Sequence, residues 1–353
     1  MSSIVPIRQA HAFRHASDLP KDVWRALLQN EAVASVILPF AKKALNLPRG
    51  GDHKQLWIAL YDDAKNVEFV LSCTKGPQGN YPIFIVASKT SAQIAQEERR
   101  GKHLADALLP LVRCLLEEVP PQRVFSVFSI ARVTEMFATL FEAEARARGA
   151  NGIQAIADPY YDATFTFCTS HTFKSPPDAM SSPPWSKDLV FALRRADMSD
   201  LDGVKAMCQA FSETSPPFVL DDAGAELEAR LLIDNQQVWV HVIQKTGQEP
   251  EIACLVATTR ESDNVTAVTK VFTADHWRGR GCAARLLHRV CQEVLQKKKR
   301  VVLYVGNSDE LAPARKVYHK IGFHGLDWSQ GQQVKDVERW LEIGFKGTTL
   351  GHW

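Results

Sequence analysis

The sequence predicts a mixed α/β protein built in two halves. Three observations carry this. Strand-like runs of β-branched and aromatic residues alternate with helical runs spaced i, i+3, i+4 along the 353 residues. A Pro/Ser-rich stretch near the middle, Ser175 to Lys187, has almost no hydrophobic pattern and reads as a linker. Val268 to Ala283 runs as a strand, a basic glycine-bearing turn and a helix, an arrangement that makes an anion site in outline. The expected domains are residues 1–174, a linker over 175–187, and residues 188–353.

Composition narrows the class. At 45% hydrophobic and 23% charged residues, the chain has ample material for packed cores. A net charge of +2 argues against a general nucleic-acid binder, which would carry a larger basic excess. Cys73, Cys114, Cys168, Cys208, Cys254, Cys282 and Cys291 sit mostly inside apolar segments with no C-x-x-C spacing. They read as small buried hydrophobes in a reducing compartment, with neither disulfides nor a metal site expected. No run of 18 apolar residues and no signal-peptide core are seen, so a cytoplasmic protein without membrane contact is expected. The oligomeric state is left open.

In the first half, Asp22 to Phe40 gives mixed helical signals. Leu56–Tyr61 and Val67–Cys73 read as strands, Gly76 to Asn80 as a turn, and Tyr81 to Ala87 as a third strand. A helix follows with Leu104, Leu108, Leu111, Val112, Leu115 and Leu116 on one face; Pro110 is expected to kink it or mark a boundary. Arg123 to Ile130 reads as a strand, Thr134 to Arg148 as a helix stopped by Gly149, and Ala163 to Thr169 as a last strand.

In the second half, Leu189 to Arg194 is a strand. Asp197 or Ser199 caps a helix running through Phe211, and Asp221 to Ile233 is a second helix. Val238–Gln244 and Ile252–Thr259 are successive antiparallel strands. The central strand then reaches Thr273, and Ala283, Leu286, Leu287, Val290, Cys291, Val294 and Leu295 form a helical stripe. Lys297 to Arg300 balances the helix C-terminus. Val301–Val305 is a strand, and Leu311 to Ile321 a helix capped by Gly322. Trp328 with Val337 to Phe345 reads as a final hairpin.

The turn Arg278-Gly279-Arg280-Gly281 precedes a helix start, where backbone N–H groups are unpaired and the macrodipole is positive. Glycines allow close approach of phosphate oxygens, and the arginines add charge. Arg278-x-x-Gly281-x-Ala283 resembles the (Gln/Arg)-x-x-Gly-x-(Gly/Ala) signature of the GNAT acetyltransferases, and Tyr318-x-x-x-Gly322-Phe323 resembles the segment that closes the same fold. The resemblance covers about residues 188 to 330. Glu98-Arg-Arg-Gly101-Lys-His103 can be laid on the first signature. An acidic first position and a bulky last one then suggest a second, tandem copy that lacks cofactor binding; an unrelated α/β domain is the other reading.

The resemblance implies a mixed-sheet acyl-CoA N-acyltransferase fold. It implies acetyl-CoA as co-substrate, held by Val271, Phe272, Thr273, Arg278, Gly279, Arg280, Gly281, Cys282 and Ala283, with Asn307 and Ala314 contributing. It implies an acetyl group passed directly to a primary amine of a small molecule or peptide, with Tyr318 protonating the departing thiolate. Phe211, Glu213 and Phe218 would wall the acceptor site, with Asp221 and Asp222 nearby and Glu338 and Glu342 on the expected hairpin. Two departures stand out. Leu311 occupies the place of a cofactor-contacting asparagine, and Asn264 to Thr273 contains no carboxylate base, leaving Glu261, Asp263 and His276 nearby. A CoA-binding or interaction protein on this scaffold, and a transferase of another acyl group, are the alternatives.

Overall fold

The computed structural model describes residues 8–48, 55–175, 189–326 and 334–352. The linker from 176 onward and Trp328 lie outside them. Two compact units result, Met1–Ala163 with Glu338–Trp353, and Thr164–Val337. This differs from a division at the linker in two places. The last strand of the chain belongs to the first unit, and the strand preceding the linker belongs, from Thr164 onward, to the second.

The first unit contains β1 (Gln9–Phe13), α1 (Lys21–Gln29), α2 (Leu38–Ala44), β2 (Leu56–Tyr61), β3 (Val67–Cys73), the ribbon β4–β5 (Lys75–Gly76, Gly79–Asn80) and β6 (Ile83–Ala87). It continues with α3 (Ser91–Arg99), α4 (Leu104–Glu118), β7 (Ser126–Ile130), α5 (Ala131–Ala147) and β8 (Gln154–Ala155). Its strands lie in the order β1-β2-β3-β6-β7, followed by the strand Glu338–Lys346. β3 and β6 are antiparallel, whereas β6 and β7 are parallel, pairing Ile83 with Val127 and Phe84 with Phe128. Strand Glu338–Lys346 pairs antiparallel to β7 from Trp340 opposite Ile130 to Gly344 opposite Ser126. Among the described residues, no second strand forms a hairpin with it. Its fully buried Trp340 packs on Phe128 at 5.0 Å, and Phe345 packs on Phe141 at 4.7 Å. Those contacts place it in this core.

α4 runs through Pro110, so the proline is not a helix boundary. One element of this unit differs from expectation. α3 has no counterpart in the sequence reading. It starts at a capping box in which the Thr90 side chain accepts from the Gln93 N–H and Gln93 returns a bond to the Thr90 N–H.

The second unit repeats the element order. β9 (Tyr161–Thr169) contributes from Thr164. Then come β10 (Leu189–Arg195), α6 (Leu201–Glu213), α7 (Asp222–Asp234), β11 (Val238–Lys245), β12 (Glu251–Ala257), β13 (Arg260–Glu261), β14 (Val265–Val268), β15 (Lys270–Thr273), α8 (Cys282–Leu295), β16 (Arg300–Gly306) and α9 (Ala312–Ile321). The Asp197 side chain accepts from the Ser199 N–H and caps the 3-10 turn Met198–Asp200 that leads into α6, while α6 itself has no side-chain cap; Asp221 accepts from the Gly224 N–H and caps α7. Two hydrophobic layers cover the sheet. Leu286, Leu287, Val290 and Cys291 of α8 pack against one face, and Val204, Cys208, Ala229 and Leu232 of α6 and α7 pack against the other. Among the described residues, no helix is long and apolar enough to cross a membrane.

Candidate functional site

The central strand of the second unit forks. Its first part, β14, pairs in parallel with β16, Val268 opposite Leu303. Its second part, β15, pairs antiparallel with β12, Lys270 opposite Ala257, and forms the edge of that sheet. Thr269 sits at the fork, its N–H donating to the Ala257 carbonyl at 2.8 Å. Alternation slips there. Val268 and Val271, three residues apart, both belong to the α8 core, while Phe272 joins the α6/α7 core. One extra residue in the strand is what a β-bulge supplies, and it lets the two halves diverge. A sheet edge is thereby opened just ahead of the basic turn.

The turn itself is braced. A 3-10 turn, Asp275–Trp277, leads into it. The Arg278 Nε donates to the Thr273 carbonyl at 3.2 Å, and its guanidinium pairs with Asp275 at 2.9 Å. Arg280 lies over the Trp277 ring, 4.9 Å from its centroid. Gly279 and Gly281 both have φ near +74, the left-handed region that a side chain disfavours. A Cβ on Gly279 would meet nothing within 4 Å, so open space lies above the loop; a Cβ on Gly281 would stand 3.2 Å from Arg285. Gly281 is the N-cap of the fourteen-residue α8 and offers no side-chain cap, which leaves the first N–H groups of that helix to another partner. Donors, charge and room all suit a phosphate.

Beneath the loop lies a buried layer. The Arg285 guanidinium donates to the Arg280 carbonyl at 2.6 Å and approaches the Cys282 sulfur at 3.8 Å. Burial pushes the Cys282 thiol up, against the pull of Arg285, so Cys282 is a packed thiol and not a ready thiolate. His241 on β11 is fully buried, opposite Cys254 on β12, with its ring edge-on to Phe191 at 5.6 Å. Burial, and then the neighbouring Arg285 charge, hold its imidazole down at about 4, opposed by the Cys282 backbone.

The remaining expected residues fall as follows. Tyr318 is 8% exposed within the α8 core, its ring 5.9 Å from Phe323; Ala314 is partly buried against the same core. Asn307 follows β16 and accepts from the Thr164 hydroxyl at 2.7 Å, while Leu311 is exposed. Phe211 packs edge-on to Phe272 at 6.2 Å, Glu213 is exposed, and Phe218 is buried. Glu261 pairs with Lys298 at 2.7 Å, which ties the basic run after α8 to the end of β13. Glu338 and Glu342 do not line an acceptor wall in the second unit. They belong to the first, where Glu338 accepts from the Ser91 N–H at 3.0 Å and Glu342 from the Ser126 hydroxyl at 2.6 Å.

Two features escaped the sequence. Lys270 pairs with Glu228 of α7 at 3.0 Å, both side chains nearly buried, and its ammonium sits 4.7 Å over Phe211. Glu251 receives both the Trp277 indole N–H, at 2.9 Å, and a His276 ring nitrogen, at 3.1 Å. The partners are more than 20 residues apart in each case, and no local pattern marks them.

In the first unit the corresponding strand stays whole: β6 pairs with β3 on one side and with β7 on the other in a single sheet. The buried Ser129 hydroxyl of β7 donates to the Ile85 carbonyl of β6 at 2.7 Å. The counterpart loop carries Glu98, paired with Arg132 at 2.9 Å, on the last turn of α3. Gly101 is left-handed at φ +82, and His103 precedes α4 without making a side-chain cap.

Residues 249–330 match the family described as FR47-like protein. No curated protein matches the chain. Among solved structures, a Drosophila protein aligns over 95% of this chain and 98% of its own, at 11% identity and a TM-score of 0.55. A GCN5-related N-acetyltransferase from Sphaerobacter thermophilus aligns over 95% and 94%, at 14% identity and a TM-score of 0.48. A tandem GNAT protein from the clavulanic acid biosynthesis pathway aligns over 98% and 100%, at 10% identity and 0.48. The stretch that carries the basic loop is similar to the FR47-like family, and the chain as a whole shares its fold with the Drosophila protein.

Proposed function

We propose that the chain is an acetyl-CoA-dependent N-acetyltransferase that moves an acetyl group to a primary amine of a small molecule or peptide. The observation that carries this reading is the forked strand Val265–Thr273 running directly into the braced Arg278–Ala283 loop. The opened edge of β15 offers backbone groups to an extended arm, and the loop and α8 N-terminus offer donors to its phosphates. Val271, Phe272 and Thr273 would line the arm. Arg278, Gly279, Arg280, Gly281, Cys282 and Ala283 would hold the phosphates, and Asn307 and Ala314 would flank the far side.

In the proposed step the neutral amine attacks the thioester carbonyl. A C–N bond forms, the C–S bond breaks, and the sulfur takes a proton from the Tyr318 hydroxyl while the amine loses one to water. No covalent enzyme intermediate is involved, so positioning carries much of the rate. Phe211, Glu213 and Phe218 are assigned to the acceptor side. Incubation with acetyl-CoA, a panel of amines and a thiol reagent tests the proposal: amine-dependent thiol release is expected, and none with any amine would refute it. Thiol release with a longer acyl-CoA but not with acetyl-CoA would transfer the reading to another acyl group.

A further inference from the structure

A carboxylate beside an anion-binding loop needs an explanation, because its charge opposes the ligand. Glu251 is such a carboxylate. It opens β12, 27 residues before Arg278, and its two oxygens are divided between two partners in the turn that leads into the loop. One accepts from the Trp277 indole N–H at 2.9 Å, the other is 3.1 Å from the His276 ring nitrogen. Trp277 is 2% exposed and belongs to the α8 core, so the bond orients a ring that is already packed. The face of that ring carries the Arg280 guanidinium at 4.9 Å. The Arg280 backbone is fixed separately, by Arg285 donating to its carbonyl at 2.6 Å. With main chain and side chain held from different sides, Arg280 loses little rotamer freedom when it meets an anion.

We infer that Glu251 is a positioning residue for the phosphate loop, setting the place of Arg280 through the Trp277 indole. The inference rests on the acyl-CoA reading of that loop. Calorimetry of the full chain with coenzyme A tests it on five proteins: the wild type, Glu251→Ala, Glu251→Gln, Arg280→Ala and the double variant Glu251→Ala/Arg280→Ala. Glu251→Ala should weaken binding about tenfold, the scale of one charge-assisted hydrogen bond lost. Glu251→Gln keeps an oxygen for the indole and sheds the charge, so it should bind within about twofold of wild type or tighter. If Glu251 acts through Arg280, the double variant should bind no more weakly than Arg280→Ala alone. Trp277→Phe keeps the ring and removes the N–H; it should reproduce the loss if Glu251→Ala fails to fold.

Wild-type affinity in Glu251→Ala or in Trp277→Phe would overturn the inference. So would a double variant whose losses simply add, since that is what general damage to the loop produces. Glu251→Gln as weak as Glu251→Ala would assign the effect to charge and overturn it as well. A wild-type chain that does not bind coenzyme A would instead remove the acyl-CoA reading itself, and this inference with it.

Discussion

Acidification should act on the second unit through His241. The imidazole is fully buried under the Arg278–Ala283 loop, among Cys254, Phe191, the Cys282 backbone and the Arg285 guanidinium, and is held down at about 4. An unfolded histidine titrates near 6.5. Between these values the unfolded chain binds the proton and the folded chain does not, so unfolding takes up protons and stability falls as pH drops. Above pH ~6.5 the stability is whole. From there to about 4 it declines, and below 4 this residue adds no further loss. At about 1.4 kcal/mol per pH unit the full decline is about 3 kcal/mol. Carboxylates titrate in the same range, so the assay is a difference. Denaturant unfolding of wild type and His241→Gln is followed at pH 7 and pH 4. The wild type should lose about 3 kcal/mol more than the variant across that window. Equal losses in the two proteins would show that His241 is not held neutral, and the described packing under the loop would be wrong.

Three further outcomes are expected. Tyr318→Phe keeps the ring packed on Phe323 and removes the hydroxyl, so kcat should fall about 100- to 10,000-fold with little change in acetyl-CoA affinity; an unchanged kcat would make Tyr318 structural. Trp340→Ala empties a fully buried site beside Phe128 and should cost about 3–5 kcal/mol. Hydrogen exchange should report that loss first in β7, Ser126–Ile130, and loss confined to Arg300–Gly306 would contradict the place of the last strand. Thr164→Val removes the hydrogen bond to Asn307 and should lower affinity for coenzyme A by a few-fold if Asn307 contacts it, on the scale of about 1 kcal/mol per neutral bond; calorimetry showing no change would release Asn307 from the site.

Much of the second unit was legible because its signals are local. A strand of Val, Thr and Phe, two glycines bracketed by arginines, and an i, i+3, i+4 stripe each declare themselves within a dozen residues. The cap at Asp197 did likewise. The fork at Thr269 was not legible. Val265 to Thr273 reads as one strand, and only the partners on either side, β16 and β12, reveal that its two halves separate. The exchange of closing strands was hidden for the same reason. Trp340, Leu341 and Phe345 announce a strand, but nothing local says whether β7 or β16 will receive it. α3 carries a local signal at its start, the Thr90-x-x-Gln93 capping-box pattern, but buries only Ile94 and so lacks an apolar stripe. The links from Glu251 to Trp277 and from Glu228 to Lys270 span 26 and 42 residues, arise only on folding, and leave no trace in spacing.

The central claim is that a single acyl-CoA site exists, in the second unit, at the Arg278–Ala283 loop. Calorimetric titration of the full chain with acetyl-CoA addresses it directly, alongside Gly281→Glu and Gly101→Glu. Both glycines are left-handed, at φ +74 and +82, so both substitutions carry a comparable backbone cost of about 1–2 kcal/mol, and circular dichroism confirms that each variant is folded. One site per chain is expected, lost in Gly281→Glu, where the side chain and its charge enter the phosphate position, and kept in Gly101→Glu. Two sites per chain, or binding that survives Gly281→Glu, would contradict the account.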